Sequence, residues 1–144
     1  MKFTTYTTFP EQTSNESLWI LVDSEQLQSN LNTYQINNLE SILTATQFKA
    51  NFNETLPLFG QLSTQPHSQL LGLGKAAELQ AAKLAKLAQT IIKSAQNKFK
   101  HIAIDIAALP VEYHYLFALS LTQAAYGYDE FKSKKMNLCY NKLI

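Results

Sequence analysis

Gly72-Leu73-Gly74-Lys75-Ala76-Ala77 matches the pattern G-x-G-x-x-A between a strand-like run and a helix-like run, the context of a dinucleotide-binding turn. In that reading Gly72 lets the chain turn, Gly74 admits a pyrophosphate, and the free N–H groups at the helix start receive it. The competing reading is a strand-to-helix turn that needs glycine for backbone reasons alone. The fingerprint also asks for an acid about 20 residues further on to hold a ribose. Gln89 to Ala95 offer none, and the first candidate is Asp105, which favours the plain turn. His67, His101 and His114 belong to a turn, a strand start and a helix, and no H-E-x-x-H accompanies them. Asp105 could serve as an acid at a strand end, but it has no partner carboxylate nearby in sequence. No G-x-S-x-G elbow occurs. No catalytic residue, no metal ligand and no cofactor-binding residue is assigned from these features.

Lys132, Lys134, Lys135 and Lys142, interleaved with Tyr128, Phe131 and Tyr140, form the other stretch with chemical potential. Lysines neutralise phosphates and aromatics stack on bases, so Lys132, Lys134 and Lys135 are candidate DNA contacts. The alternative is a solvated linker whose aromatics pack on the preceding helix. The first 70 residues carry two lysines and six acids, and the remaining 74 carry ten lysines and five acids. All basic residues are Lys, and the bidentate readout of guanine edges that Arg provides is missing. A sequence-reading nucleic-acid module is therefore disfavoured.

The elements that position these residues follow from the apolar pattern. Phe3, Thr5 and Thr7 suggest an extended start, and Leu18-Trp19-Ile20-Leu21-Val22 a buried strand. Ile36 to Phe48 has helical spacing, with Asn37 or Asn38 to cap it. Leu56-Pro57-Leu58-Phe59 and Leu70-Leu71-Gly72-Leu73 flank turn-forming residues as a hairpin or meander, with Pro57 on an edge. Leu79, Leu84, Leu87, Ala88, Ile91, Ile92 and Ala95 make one stripe of a helix predicted over Lys75 to Phe99. His101 to Ile106 reads as a strand buried on both faces, and Val111 to Gly127 as a well-buried helix whose Tyr113, Tyr115, Phe117 and Tyr126 are core aromatics. Strand, helix and strand make a parallel βαβ unit, so the expected class is α/β, a mixed sheet with helices on both faces.

With 144 residues, 46% hydrophobic and 16% charged, the chain fits one self-sufficient domain. The single cysteine, Cys139, excludes an internal disulfide and suits a reducing compartment. No apolar run is long enough for a signal peptide or a membrane span, so the cytoplasm is the expected location and no membrane partner is expected.

Leu70-Leu71-Gly72-Leu73-Gly74-Lys75, the long Ala/Leu/Lys helix, Ile102-Ala103-Ile104-Asp105 and the closing Ala124-Ala125-Tyr126-Gly127-Tyr128-Asp129-Glu130-Phe131-Lys132-Ser133-Lys134-Lys135 together resemble the N-terminal domain of the leucine aminopeptidase (cytosol aminopeptidase) family. The resemblance covers roughly residues 18 to 135. It implies a three-layer α/β/α, macrodomain-like fold and a parent enzyme that removes N-terminal residues from peptides as a cytoplasmic homo-hexamer. It further implies two divalent ions, Zn or Mn, in a larger C-terminal catalytic domain. The family's Asn-Thr-Asp-Ala-Glu-Gly-Arg signature and its lysine-containing metal motif are absent here. No functional residue carries across, and this chain alone is expected to be inactive. Residues 1–135 are expected to form the noncatalytic domain, and 136–144 the start of the connection to the catalytic one, disordered or loosely docked without it, or with Leu138, Tyr140, Leu143 and Ile144 driving self-association. The implied role is packing on that domain and supporting hexamer assembly. The alternative is a stand-alone nucleotide- or DNA-binding module.

Overall fold

The structure, a computed structural model, describes residues 2–6, 16–32, 34, 36–58, 60–61, 67–95, 101–126 and 135–139. The strands are β1 (Lys2–Tyr6), β2 (Glu16–Val22), β3 (Thr55–Pro57), β4 (Ser68–Gly72), β5 (His101–Asp105) and β6 (Lys135–Cys139). The helices are α1 (Leu27–Leu31), α2 (Leu39–Thr46), α3 (Ala81–Ala95) and α4 (His114–Tyr126). Among the described residues the strands form one six-stranded sheet in the order β1-β6-β5-β2-β4-β3. Every pairing is parallel except β3 with β4, so the sheet is mixed, as expected, and the Pro57 strand lies on its edge. Proline has no N–H to give to a ladder, and an edge is where a strand tolerates that.

β2 lies in the interior of the sheet, flanked by β5 and β4, and its side chains alternate between two cores. Trp19 and Leu21 join Leu71, Leu73, Ile102 and Ile104 on the face covered by α3 and α4. Leu18, Ile20 and Val22 join Leu31, Phe48, Leu70 and Ala103 on the opposite face, where half-buried residues of α2 pack. Both faces are covered, so the strands read as continuous apolar runs and the domain has three layers.

α3 presents Leu84, Leu87, Ala88, Ile91 and Ile92 to the core at helical spacing, all fully buried. The helix expected over Lys75 to Phe99 is shorter at its start: a 3-10 turn at Ala76–Glu78 is followed by extended Leu79, and α3 begins at Ala81. The Leu79 carbonyl at this break accepts a hydrogen bond from Tyr113 Oη at 3.1 Å, a tertiary contact that helix propensity cannot anticipate. Residues 96–99 of that expectation lie outside the described residues. Likewise Val111 to Gly127 divides into a 3-10 turn at Val111–Tyr113 and α4.

The sheet also extends past residue 135. β6 occupies the slot between β1 and β5, with Met136 opposite Phe3 and Ile102. The expected boundary after residue 135 therefore falls inside a strand, and 136–139 belong to the sheet. Leu138 is part of that strand, and Tyr140, Leu143 and Ile144 lie outside the described residues.

Candidate functional site

The carboxyl ends of β2, β4 and β5 lie where ligands bind in open α/β sheets: after β2 the chain builds β3 and β4 on one side of it, and after β5 it goes to β6 on the other. The Gly72–Ala77 turn and Asp105 both lie at this end.

The glycine turn is occupied by the chain itself. A Cβ on Gly72 would come within 2.2 Å of the Asn51 carbonyl oxygen and 2.5 Å of the Ala50 carbonyl carbon. Gly72 N–H donates to Glu54 O at 2.7 Å, Asn53 N–H donates to Gly72 O at 2.8 Å, and Gly74 N–H donates to Ala50 O at 2.9 Å. Gly74 has φ +68°, a conformation suited to glycine, and a Cβ there would come within 3.3 Å of the Phe52 Cβ and backbone nitrogen. The covering loop, residues 50–54, is pinned in turn: Glu54 Oε1 accepts from Asn51 N–H at 3.0 Å, and Asn53 Oδ1 accepts from Thr90 Oγ1 at 2.7 Å. Backbone therefore fills the space a pyrophosphate needs. The break at Leu79 also separates the glycines from the start of α3. The nucleotide reading of Gly72 to Ala77 is overturned, and the glycines serve close backbone approach. The sequence did carry a sign of the covering loop in its turn-formers Asn51 and Asn53.

Asp105 is 5% exposed and acts as a clasp. Its carboxylate accepts from Ala107 N–H at 2.9 Å, closing a turn after β5, and from the Tyr34 hydroxyl, which ties the segment after α1 to the sheet. At the end of β2, Asp23 N–H donates to Asn30 Oδ1 at 2.9 Å while Asp23 Oδ1 accepts from Glu25 N–H at 3.0 Å. Both acids hold loops in place.

The histidines are dispersed. His114 is half-buried and donates from Nε2 to Leu109 O at 2.8 Å, bracing the start of α4. His67 is exposed beside β4, and His101 opens β5. Among the described residues no three His, Cys, Asp or Glu side chains come together as a metal site. Of the candidate DNA contacts, Lys132 and Lys134 lie outside the described residues, and Lys135 opens β6 opposite Lys2 and His101.

α4 departs from the expectation of a wholly buried helix. Phe117, Leu121 and Ala125, four apart, are buried at 0, 0 and 2% exposure. Tyr115 and Leu119, also four apart, are shifted by two positions and hence about 200° around the axis, and Val111 in the preceding 3-10 turn is exposed with them. They point outward: Val111 and Tyr115 are each 78% exposed, Leu119 41% and the adjoining Leu116 38%. Tyr115 is therefore a surface residue, whereas Phe117 is core and Tyr113 half-buried. Tyr126 ends α4, its side chain lying outside the described residues. The signal was present in the sequence as Tyr115, Leu116 and Leu119 lying off the Phe117, Leu121, Ala125 stripe.

The profile of the cytosol aminopeptidase family, N-terminal domain, matches residues 19–135. The chain belongs to this family, as its N-terminal domain. Among its relatives, a "Probable cytosol aminopeptidase" of Acinetobacter baumannii (strain SDF) is 99% identical over 135 residues, which are 94% of this chain and 28% of that protein. Another "Probable cytosol aminopeptidase", of Acinetobacter baylyi (strain ATCC 33305 / BD413 / ADP1), is 56% identical over 135 residues, again 94% of this chain and 28% of that protein. The chain thus spans just over a quarter of the length of these curated relatives. Among the described residues, no helix is long and apolar enough to cross a membrane.

Proposed function

We propose that this chain is the noncatalytic amino-terminal domain of a leucyl aminopeptidase, serving to pack on a larger C-terminal catalytic domain and to support assembly of a cytoplasmic homo-hexamer. The observation that carries the reading is the family match over residues 19–135 in a chain that covers 28% of its relatives. In the parent enzyme two divalent ions, Zn or Mn, would polarise the peptide carbonyl and lower the pKa of the attacking water. The described residues of this chain gather no ligand set for such ions, so no step of hydrolysis is assigned to them. What the chain contributes is shape: a three-layer domain whose glycine turn and acidic strand ends hold its own loops.

The test is hydrolysis of a leucine anilide in the presence of Mn or Zn, by the homogeneous chain and by the full-length Acinetobacter baumannii relative. Turnover is expected from the long protein alone. Turnover by the purified 144-residue chain would overturn the reading.

A further inference from the structure

Helix α2 is attached to the sheet by little. None of its residues is fully buried, and Leu39, Ile42 and Leu43 only half-bury themselves against the core that holds Leu56, Leu58 and Leu70. Between α2 and β3 lies an open groove of about 350 Å³, with Ile42, Ala45 and Thr46 on one wall and Leu56, Pro57 and Leu58 on the other. Side chains that face such a space have no partner atoms on that side, so α2 forgoes contact energy along the whole wall.

The two ends of the helix are left-handed. Asn38, which precedes it, has φ +59°, and Gln47, which follows it, has φ +55°. Asn tolerates that geometry, whereas for Gln it is strained. No side chain caps the start, because the Asn38 amide is turned to Gln61 Oε1 at 3.4 Å. Just beyond both ends the chain is anchored. Asn37 N–H donates to Gln61 O at 2.8 Å, and fully buried Ala50, itself at φ +57°, accepts from Gly74 N–H at 2.9 Å. The helix is thus a weakly held span between two firm points, with strain stored at its second hinge.

We infer that α2 is a strap that leaves the sheet as a unit, hinged at Asn38 and Gln47, while the rest of the domain stays folded. Release frees Gln47 from its left-handed conformation. A detached helix of eight residues is too short to persist in water, so the strap melts as it opens. Opening uncovers Leu56 and Leu58, the floor of the groove beside the sheet's edge strand. This motion belongs to the domain itself and does not depend on the proposed catalytic partner. α3, which buries Leu84, Leu87, Ile91 and Ile92 completely, has no such freedom.

Native-state amide hydrogen exchange of the 144-residue chain in sub-denaturing urea tests the strap. The amides of Ile42 to Thr46, bonded within α2, should share one opening rate, at least about 100-fold more frequent than that of Leu84 to Ile92 in α3. They should also share one urea dependence, shallower than that of α3, because releasing a strap exposes less surface than unfolding the domain. Two results would overturn the inference. Exchange of Ile42 to Thr46 with the rate and urea dependence of α3 would mean that α2 opens only with the whole domain. Exchange graded inward from the helix ends and indifferent to urea would mean that it merely frays. Two variants then probe the hinge with opposite signs. Gln47→Gly removes the left-handed penalty from the attached state and should slow the shared opening at least about threefold. Ala45→Gly, in the exposed helix interior, should speed it about threefold. Unchanged or faster opening in Gln47→Gly would overturn the hinge, and the strap with it.

Discussion

The two helical layers cover the same sheet by different means. α3 and α4 bury Leu84, Leu87, Ile91, Ile92, Phe117 and Leu121 completely against Trp19, Ile102 and Ile104. α1 and α2 bury only Leu31, and the half-buried Leu39, Ile42 and Leu43 of α2 rest on the opposite core. That layer relies more on polar ties: Tyr34 to Asp105, Asp23 to Asn30, and Asn37 N–H to Gln61 O at 2.8 Å. The difference teaches that apolar burial and apolar composition are separate questions. Among the described residues α3 exposes no large apolar side chain, whereas α4 exposes Tyr115, Leu116 and Leu119.

Mutations can break or sharpen this contrast. Phe117→Ala, which empties the heart of the α3–α4 layer, should cost about 3–5 kcal/mol in urea unfolding. Gly72→Ala places a methyl group against the Asn51 carbonyl with no side chain free to yield, and should cost at least ~2 kcal/mol. Gly60→Ala meets nothing within 4 Å and adds only the strain of φ +80°, about 1–2 kcal/mol. Asp105→Asn should cost about 1–2 kcal/mol through the weakened clasp to Tyr34 and Ala107, loosening the segment after α1 while leaving α3 protected in hydrogen exchange. Ile42→Ala in α2 should cost about 1 kcal/mol, since the side chain is only half-buried. An Ile42→Ala loss as large as that of Phe117→Ala would erase the contrast between the layers. Leu119→Gln, on the exposed ridge, should change the stability of this chain by less than about 0.5 kcal/mol.

Much of this architecture is legible in the sequence because it is written in local pattern. Leu18–Val22 is a continuous apolar run, Ile102–Ile106 is broken only by Asp105, and the 84, 87, 88, 91, 92 spacing of α3 admits one period only. The family likewise showed itself in the residues from Leu70 to Lys135. What escaped depends on partners distant in sequence. β6, Lys-Met-Asn-Leu-Cys, alternates polar and apolar side chains over too few residues to stand out, and it becomes a strand by filling the slot between β1 and β5. The end of the glycine turn's ligand-binding promise came from a loop 20 residues upstream, through Ala50 and Asn51, whose approach no spacing rule records. Tyr115 read as core because it lies in an apolar helix, and helix composition does not reveal which side faces the sheet.

The central claim is that this polypeptide supplies scaffold and no dinuclear centre. Equilibrium dialysis of the homogeneous chain against Zn and against Mn, with bound metal measured per chain, addresses it most directly. The account predicts less than one equivalent of either ion retained at micromolar free metal. Two tightly held ions per chain, surviving exchange into metal-free buffer, would contradict it.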